Sequence, residues 1–145
     1  MKITFKKLRE SAVIPSYATE GSAGMDLCAC IDESITLAPN EIRLIPTGLA
    51  AETDTNDAAL LIYARSGLAS KHGITLANSV GVIDCDYRGE WKIPLINLGG
   101  EPFTIEPDMR IAQLVVTPVL RPEISEGDEL SATDRGVGGF GSTGT

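Results

Sequence analysis

Short apolar, β-branched runs alternate with turn-forming clusters along the chain. The runs are Ile35–Leu37, Ile42–Leu49, Ala58–Ala64, Ile74–Ile83, Trp91–Leu98, Phe103–Ile105 and Ile111–Leu120. Between them lie Gly21-Ser22-Ala23-Gly24, Pro39-Asn40, Thr53–Asp57, Gly99-Gly100 and Pro107-Asp108. Runs of this length, bounded by Gly, Pro and short polar residues, predict strands. Pro followed by Asn or Asp predicts a type I turn, because the ring fixes φ and the short polar side chain suits the next position. TLAPNEIRLI and TIEPDMRIAQ echo one another, each a short strand, a Pro-led turn and a longer strand carrying Arg43 or Arg110. The echo predicts two similar β-hairpins. In Leu114-Val115-Val116 neighbouring side chains are apolar on both parities, which predicts a sandwich or barrel whose outer face is also covered, as by another subunit. The best helical segment is Ser66–His72. Together these elements predict an all-β, jelly-roll-like barrel or sandwich over residues 1–122 with one short helix. From Glu123 the chain turns polar and from Arg135 glycine-rich, so residues 123–145 are expected to form an arm of the same domain.

Composition narrows the class. A chain of 145 residues is one domain that can bury a core without staples. Its net charge of −8 argues against coating a nucleic-acid backbone, which needs basic patches. Cys28, Cys30 and Cys85 are odd in number, and C-x-C is not a zinc-knuckle spacing. They are expected to be reduced thiols in a cytoplasmic protein. No apolar stretch approaches a membrane span, and no signal-peptide core follows the basic MKITFKKLRE.

Several short stretches carry possible chemistry. GVIDCDYRGEW (81–91) ends an apolar strand in two carboxylates, Asp84 and Asp86, beside Tyr87. On an extended strand the two would share a face. In ARSGLAS (64–70), Arg65 and Ser66 stand at a helix start, where free N–H groups favour anions; a helix cap with a surface arginine fits equally. GSAGMDL (21–27) puts Asp26 just past a glycine turn, as a ligand-facing or a turn-stabilising carboxylate. The tail RGVGGFGSTGT fits G-x-x-x-x-G-x-[ST] over residues 136–143, with Ser142 where a Walker loop has lysine. Such a loop can cradle phosphates through backbone N–H groups, with Arg135 as the cation and Phe140 stacking on a base, although glycine-rich composition alone would suit a flexible tail. His72 is the sole histidine, which excludes a multi-histidine metal site and leaves it structural.

Taken in order, AGMDL (23–27), ARSGLA (64–69), NSVGVIDCDYRGEW (78–91), RIAQLVV (110–116) and RGVGGFGSTG (135–144) resemble the five motifs of the trimeric dUTP diphosphatases (dUTPases). The resemblance spans nearly the whole chain. It implies hydrolysis of dUTP to dUMP and pyrophosphate with magnesium, removing dUTP and supplying dUMP for thymidylate synthesis. It also implies a jelly-roll barrel assembled as a homotrimer, with dUTP rather than a nucleic-acid polymer or membrane as partner.

By the same resemblance, Asp84 is the general base that orients water against the α-phosphorus. Tyr87 lies under the deoxyribose and excludes a 2′-hydroxyl. Backbone groups around Gly81, Val82, Ile83 and Lys92, with Asn78 at the base, read the uracil edge. Arg65, Ser66, Gly67 and Gln113 contact phosphates. Arg135 clamps the γ-phosphate, Phe140 covers the uracil, and Gly141, Ser142 and Thr143 close around the phosphates. Asp26 holds waters of the magnesium shell. Asp86 and Arg88 are assigned to the turn, with a salt bridge, and Cys85 has no catalytic role. Motifs one, two and four come from one subunit, the third from a neighbour and the fifth from the last. Two rivals share the barrel: a dCTP deaminase, which would need a glutamate acid/base and lacks the aromatic tail, and a non-catalytic nucleotide-binding module.

Overall fold

The computed structural model describes residues 1–139, which hold eleven strands and one helix. In chain order these are β1 (Ile3–Lys7), β2 (Met25–Cys28), β3 (Ile35–Leu37), β4 (Ile42–Pro46), β5 (Leu49–Thr53), β6 (Ala58–Ala64), α1 (Ser66–His72), β7 (Ile74–Leu76), β8 (Gly81–Ile83), β9 (Lys92–Asn97), β10 (Phe103–Ile105) and β11 (Arg110–Pro118). All pairings are antiparallel. One sheet runs β2-β11-β6-β8, a second β4-β9-β7, and two ribbons pair β1 with β5 and β3 with β10. The fold is jelly-roll-like. Among the described residues no helix is long and apolar enough to cross a membrane.

Alternation explains the core. In β6, Ala58, Leu60 and Ile62 point inward, and in β9 Ile93, Leu95 and Asn97 do. Leu27, Leu37, Ile45, Leu49, Ile105, Ile111, Leu114 and Trp91 complete one cluster drawn from every sheet. Asn97 is fully buried yet satisfied: its amide donates to the carbonyls of Leu37 (3.0 Å) and Glu101 (2.8 Å) and accepts from Gly99 N–H. Val115 and Val116 stay half-buried in the single chain, while Leu114 is fully buried.

The expected elements need five corrections, four of them local. Ile42–Leu49 is two strands in different sheets, broken where Gly48 takes φ +65°. A side chain there would also meet Cys30 Sγ at 2.7 Å, so only glycine fits. Ile74–Ile83 likewise divides into β7 and β8. Between them Val80 N–H bonds to Asn78 C=O at 2.7 Å around Ser79, whose φ is +64°: a γ-turn of the rare positive-φ kind. The Pro-led turns are type II rather than type I. Glu41 N–H bonds to Ala38 C=O and Met109 N–H to Glu106 C=O, with φ of +64° at Asn40 and +61° at Asp108. Asn and Asp tolerate that left-handed region. Strand β1 was not anticipated, although Ile3 and Phe5 alternate with polar residues and pack on the core.

The echoing segments are not hairpins. β3 pairs with β10, through Ile35↔Ile105, Thr36↔Thr104 and Leu37↔Phe103, while β4 pairs with β9 and β11 with β2 and β6. Each Pro-led turn is a corner between sheets, and the two corners repeat one backbone pattern. Asn40 N–H bonds to Asn97 C=O, and Asn97 N–H returns to Glu41 C=O. Asp108 N–H bonds to Ala29 C=O, and Ala29 N–H returns to Met109 C=O. The repeat is an internal two-fold likeness, with β3 and β10 meeting at its centre. Beyond β11, residues 119–139 contain no strand or helix and are largely exposed.

Candidate functional site

The motif residues gather in three places. The first lies where β2, β11 and the end of β6 meet. Gln113 is level with Asp26 on one side and with Tyr63 on the other, so Arg65, just past β6, arrives beside both. Asp26 Oδ1 accepts a hydrogen bond from Arg65 Nε at 2.9 Å, and Oδ2 accepts one from Arg110 Nη1 at 3.2 Å. Arg65 also donates to the Arg110 carbonyl, and Gln113 Nε2 donates to the Ala64 carbonyl at 2.8 Å. The first intrahelical bond of α1 runs from Ala69 N–H to Arg65 C=O, so the preceding N–H groups of Ser66, Gly67 and Leu68 have no partner within the helix. Asp26, Arg65, Ser66, Gly67 and Gln113 line a common cleft of about 340 Å³, joined by Leu68, Lys71 and His72. Guanidinium, amide and free N–H donors around one hollow suit an oxyanion-rich ligand.

Lys71 and His72, which line this cleft, and Arg110, which holds Asp26 from beside it, are additions to the expected site residues. Arg110 and Gln113 are three residues apart, which on a regular strand points them to opposite faces. A register shift between Arg110 and Ala112 breaks that rule and lets Arg110 reach the carboxylate that Gln113 flanks. Lys71 follows Gly67 by one helical turn, a spacing visible in the sequence once the helix is accepted. His72 does pack structurally, its ring centroid 5.0 Å from that of Phe103, but it also borders the cleft.

The donors also bear on a metal. Among the described residues no group of three or more His, Cys, Asp or Glu side chains could hold one. Both Asp26 oxygens already accept from arginine, leaving each a lone pair for a water. That fits a magnesium ion held by phosphate oxygens and water rather than by direct protein ligands. Behind Asp26, burial pushes the Cys28 thiol above its ordinary pKa, reinforced by the charges of Asp26 and Asp108 and opposed by Arg110 and Arg65.

The second place is the turn after β8. The strand ends at Ile83, and Asp84 is exposed, with no hydrogen-bond partner for its carboxylate among the described residues. Asp84 and Asp86 line one cleft of about 450 Å³ with Asn56, Cys85 and Arg121, so they share a face although the strand has already ended. Arg88 stabilises the turn by donating to the Cys85 carbonyl at 2.8 Å. Its ion pair is with Glu52 at 3.8 Å, not with Asp86.

The third place adjoins it. Tyr87 folds back over Gly89 and donates to the Glu90 carbonyl at 3.3 Å. A Cβ on Gly89 would stand 2.3 Å from the Tyr87 hydroxyl, so the ring requires glycine there. Tyr87, Ile83 and Lys92 line a cleft of about 270 Å³ with Glu90 and the buried Trp91, two residues the sequence reading passed over. Lys92 pairs with Glu90 at 3.7 Å. Asn78 sits exposed in the preceding turn, while Gly81 and Val82 lie on β8. Arg135 donates to the Gly138 carbonyl in an exposed turn and lines none of these clefts. Phe140, Gly141, Ser142 and Thr143 lie outside the described residues.

Within one chain the first two places are far apart. β6 pairs with β8 through Leu60↔Ile83, so Asp84 lies level with Ala59, at the start of β6, whereas Arg65 follows its end. Six residues of extended strand separate those levels by about 20 Å.

Comparison with known proteins bears on this arrangement. A model of the dUTPase family matches residues 10–144. The chain is 49% identical over 145 residues to the deoxyuridine 5'-triphosphate nucleotidohydrolase of Neisseria gonorrhoeae, covering 100% of this chain and 95% of that one. It is 49% identical over 144 residues to the same enzyme of Desulfitobacterium hafniense, covering 99% and 95%. Among solved structures, the G164S mutant of the Staphylococcus bacteriophage 80alpha dUTPase with dUpNHpp superposes with a TM-score of 0.88 at 27% identity, over 99% of each chain.

Proposed function

This chain belongs to the dUTPase family and is an enzyme that hydrolyses dUTP, and from that premise we propose how its residues divide the work. Asp84 is the general base. It orients a water in line with the α-phosphorus and takes its proton, releasing dUMP and pyrophosphate. The dUMP becomes available for thymidylate synthesis. One contrast carries this reading: Asp26 is occupied by two guanidinium groups, while the Asp84 carboxylate is exposed and unpartnered among the described residues. A base must keep its lone pairs open to an approaching water; Asp84 does so, as does its neighbour Asp86, and the likeness to the dUTPase motif together with its place directly after β8 gives the role to Asp84.

The cleft of Arg65, Ser66, Gly67 and Gln113 receives the phosphates, with Asp26 holding the arginines in place. Asp26 would also accept from waters around a magnesium ion, which would supply charge neutralisation at the phosphates when bound. Tyr87 packs under the deoxyribose and leaves no room for a 2′-hydroxyl. Asn78, Gly81, Val82, Ile83 and Lys92 border the uracil, where mispaired polar edges would reject cytosine. Arg135 and residues Phe140, Gly141, Ser142 and Thr143 close over the bound nucleotide and exclude water.

Arg65 and Asp84 lie at opposite ends of β6, about 20 Å apart along the strand, which supports a site drawn from more than one chain. We therefore assign the working enzyme as a homotrimer whose active sites combine subunits. The half-buried Val115 and Val116 and the exposed Ile42, Leu44 and Val82 support such contacts.

The test compares pyrophosphate release from dUTP with binding of dUpNHpp. Asp84→Asn should lose roughly a hundredfold to ten-thousandfold in turnover and keep its affinity for the analogue. Retained turnover would remove Asp84 from the base role.

A further inference from the structure

We propose that Arg121 is a positioning residue for the reaction, bracing the segment that carries Asp84 against the root of the C-terminal arm. The inference rests on Asp84 being the base. The brace consists of three mutually bonded groups. Arg121 Nη1 donates to the Asn56 carbonyl, and Arg121 Nη2 lies 3.9 Å from Cys85 Sγ. Cys85 Sγ donates in turn to Asn56 Oδ1 at 3.4 Å. Cys85 directly follows Asp84, so whatever fixes Cys85 fixes the backbone from which the carboxylate projects.

The surroundings explain why a brace is needed here. β8 is three residues long and ends at Ile83, so Asp84 has left the ladder. Its carboxylate has no hydrogen-bond partner of its own among the described residues. On one side the turn is tied by Tyr87 N–H to the Asp84 carbonyl and by Arg88 to the Cys85 carbonyl. On the other side Arg121 and Asn56 are the residues that hold it. Both stand on ordered supports: Val119 N–H bonds to Asp57 C=O, continuing the β6–β11 ladder past its last pair, Pro118↔Ala58. Among the described residues, Arg121 is also the cation that lines the cleft that Asp84 and Asp86 share. A guanidinium presents its donors in a rigid planar fork that fixes two acceptors relative to each other, which the compact, freely rotating ammonium does not.

Misplacing a base by about an ångström can cost up to roughly a hundredfold in rate, so a residue that never touches substrate can still limit kcat. Arg121→Gln should lower kcat for dUTP about tenfold, with KM changed less than about twofold and the thermal midpoint unmoved. Arg121→Lys should recover only part of that loss. Ethylguanidinium added to Arg121→Gly should restore turnover in a saturable manner, a response that a merely structural residue would not give. Cys85→Ala, which removes both sulfur contacts, should cost at least as much as Arg121→Gln, and the double variant should lose less than the product of the two single losses, because the two residues share one contact. Unchanged kcat in Arg121→Gln, additive losses in the double variant, or absence of rescue would each overturn the proposal. Asp84→Asn assayed in parallel separates the two readings. If it abolishes turnover while Arg121→Gln does not lower it, the brace alone fails. If Asp84→Asn stays active, the assignment of the base fails first.

Discussion

Asp26 Oδ1 accepts the Arg65 Nε–H at 2.9 Å across 39 residues of chain, joining β2 to the junction of β6 and α1. The pair is part-buried, and the second oxygen of the same carboxylate holds Arg110. Removing the charge therefore loosens two arginines at once. Asp26→Asn should lower kcat/KM for dUTP by roughly tenfold to a hundredfold, because the phosphate donors lose their alignment. Steady-state pyrophosphate release would check this, and an unchanged kcat/KM would mean that Arg65 needs no such anchor.

Tyr87 and Gly89 make a second prediction. A methyl group on Gly89 collides with the Tyr87 hydroxyl, so Gly89→Ala must swing the ring away. The ratio of kcat/KM for dUTP over UTP should then fall about tenfold or more as space opens for a 2′-hydroxyl. Parallel assays with the two nucleotides measure it. Unaltered discrimination would show that the ring does not police the sugar.

Subunit sharing can be tested by complementation. Arg65→Ala and Asp84→Asn should each be nearly inactive alone. Co-refolded in equal amounts they should regain roughly one quarter of wild-type activity, since each mixed trimer contains one site with both native residues. Mixtures no more active than their components would place Arg65 and Asp84 in the same subunit's site.

Two titrations give pH signatures of opposite sign. Burial raises the Cys28 pKa above 9.0, with Asp26 and Asp108 adding to it. Its stabilising contribution is present below the unfolded value and is lost as pH rises through the folded one. Cys28→Ala should flatten the alkaline end of a stability profile. Glu41 runs the other way: the Ala38 N–H and then the Arg43 side chain hold its carboxyl below 4.5. Its contribution is present above the unfolded value and fades as pH falls through the folded one. Glu41→Gln should therefore weaken the acid dependence alone. Thermal melts across pH would reveal either assignment as wrong if the two slopes failed to separate in this way.

Local chemistry carried much of this molecule. Alternating burial wrote β6 and β9 into the chain, and the segment from Ser66 to His72 is the helix that was expected. Arg65, Ser66, Gly67 and Gln113, expected at phosphates, and Asp26, expected at magnesium-bound waters, line one cleft. These features depend on side chains a few residues apart, which is the range over which a linear pattern speaks.

What tertiary structure alone decided is which strands lie side by side, because pairing energy comes from partners distant in sequence. The echoing Pro-led segments look like hairpins locally and become corners because β3 finds β10. The bulge after Arg110 turns that side chain toward Asp26, against the two-residue rhythm of a strand. The register of β6 with β8 carries Asp84 to the end opposite Arg65, although the motif order places the two close in any list of candidate site residues. A list of motifs holds the chemical groups; only the antiparallel ladder, with its fixed rise per residue, says how far apart they must stand.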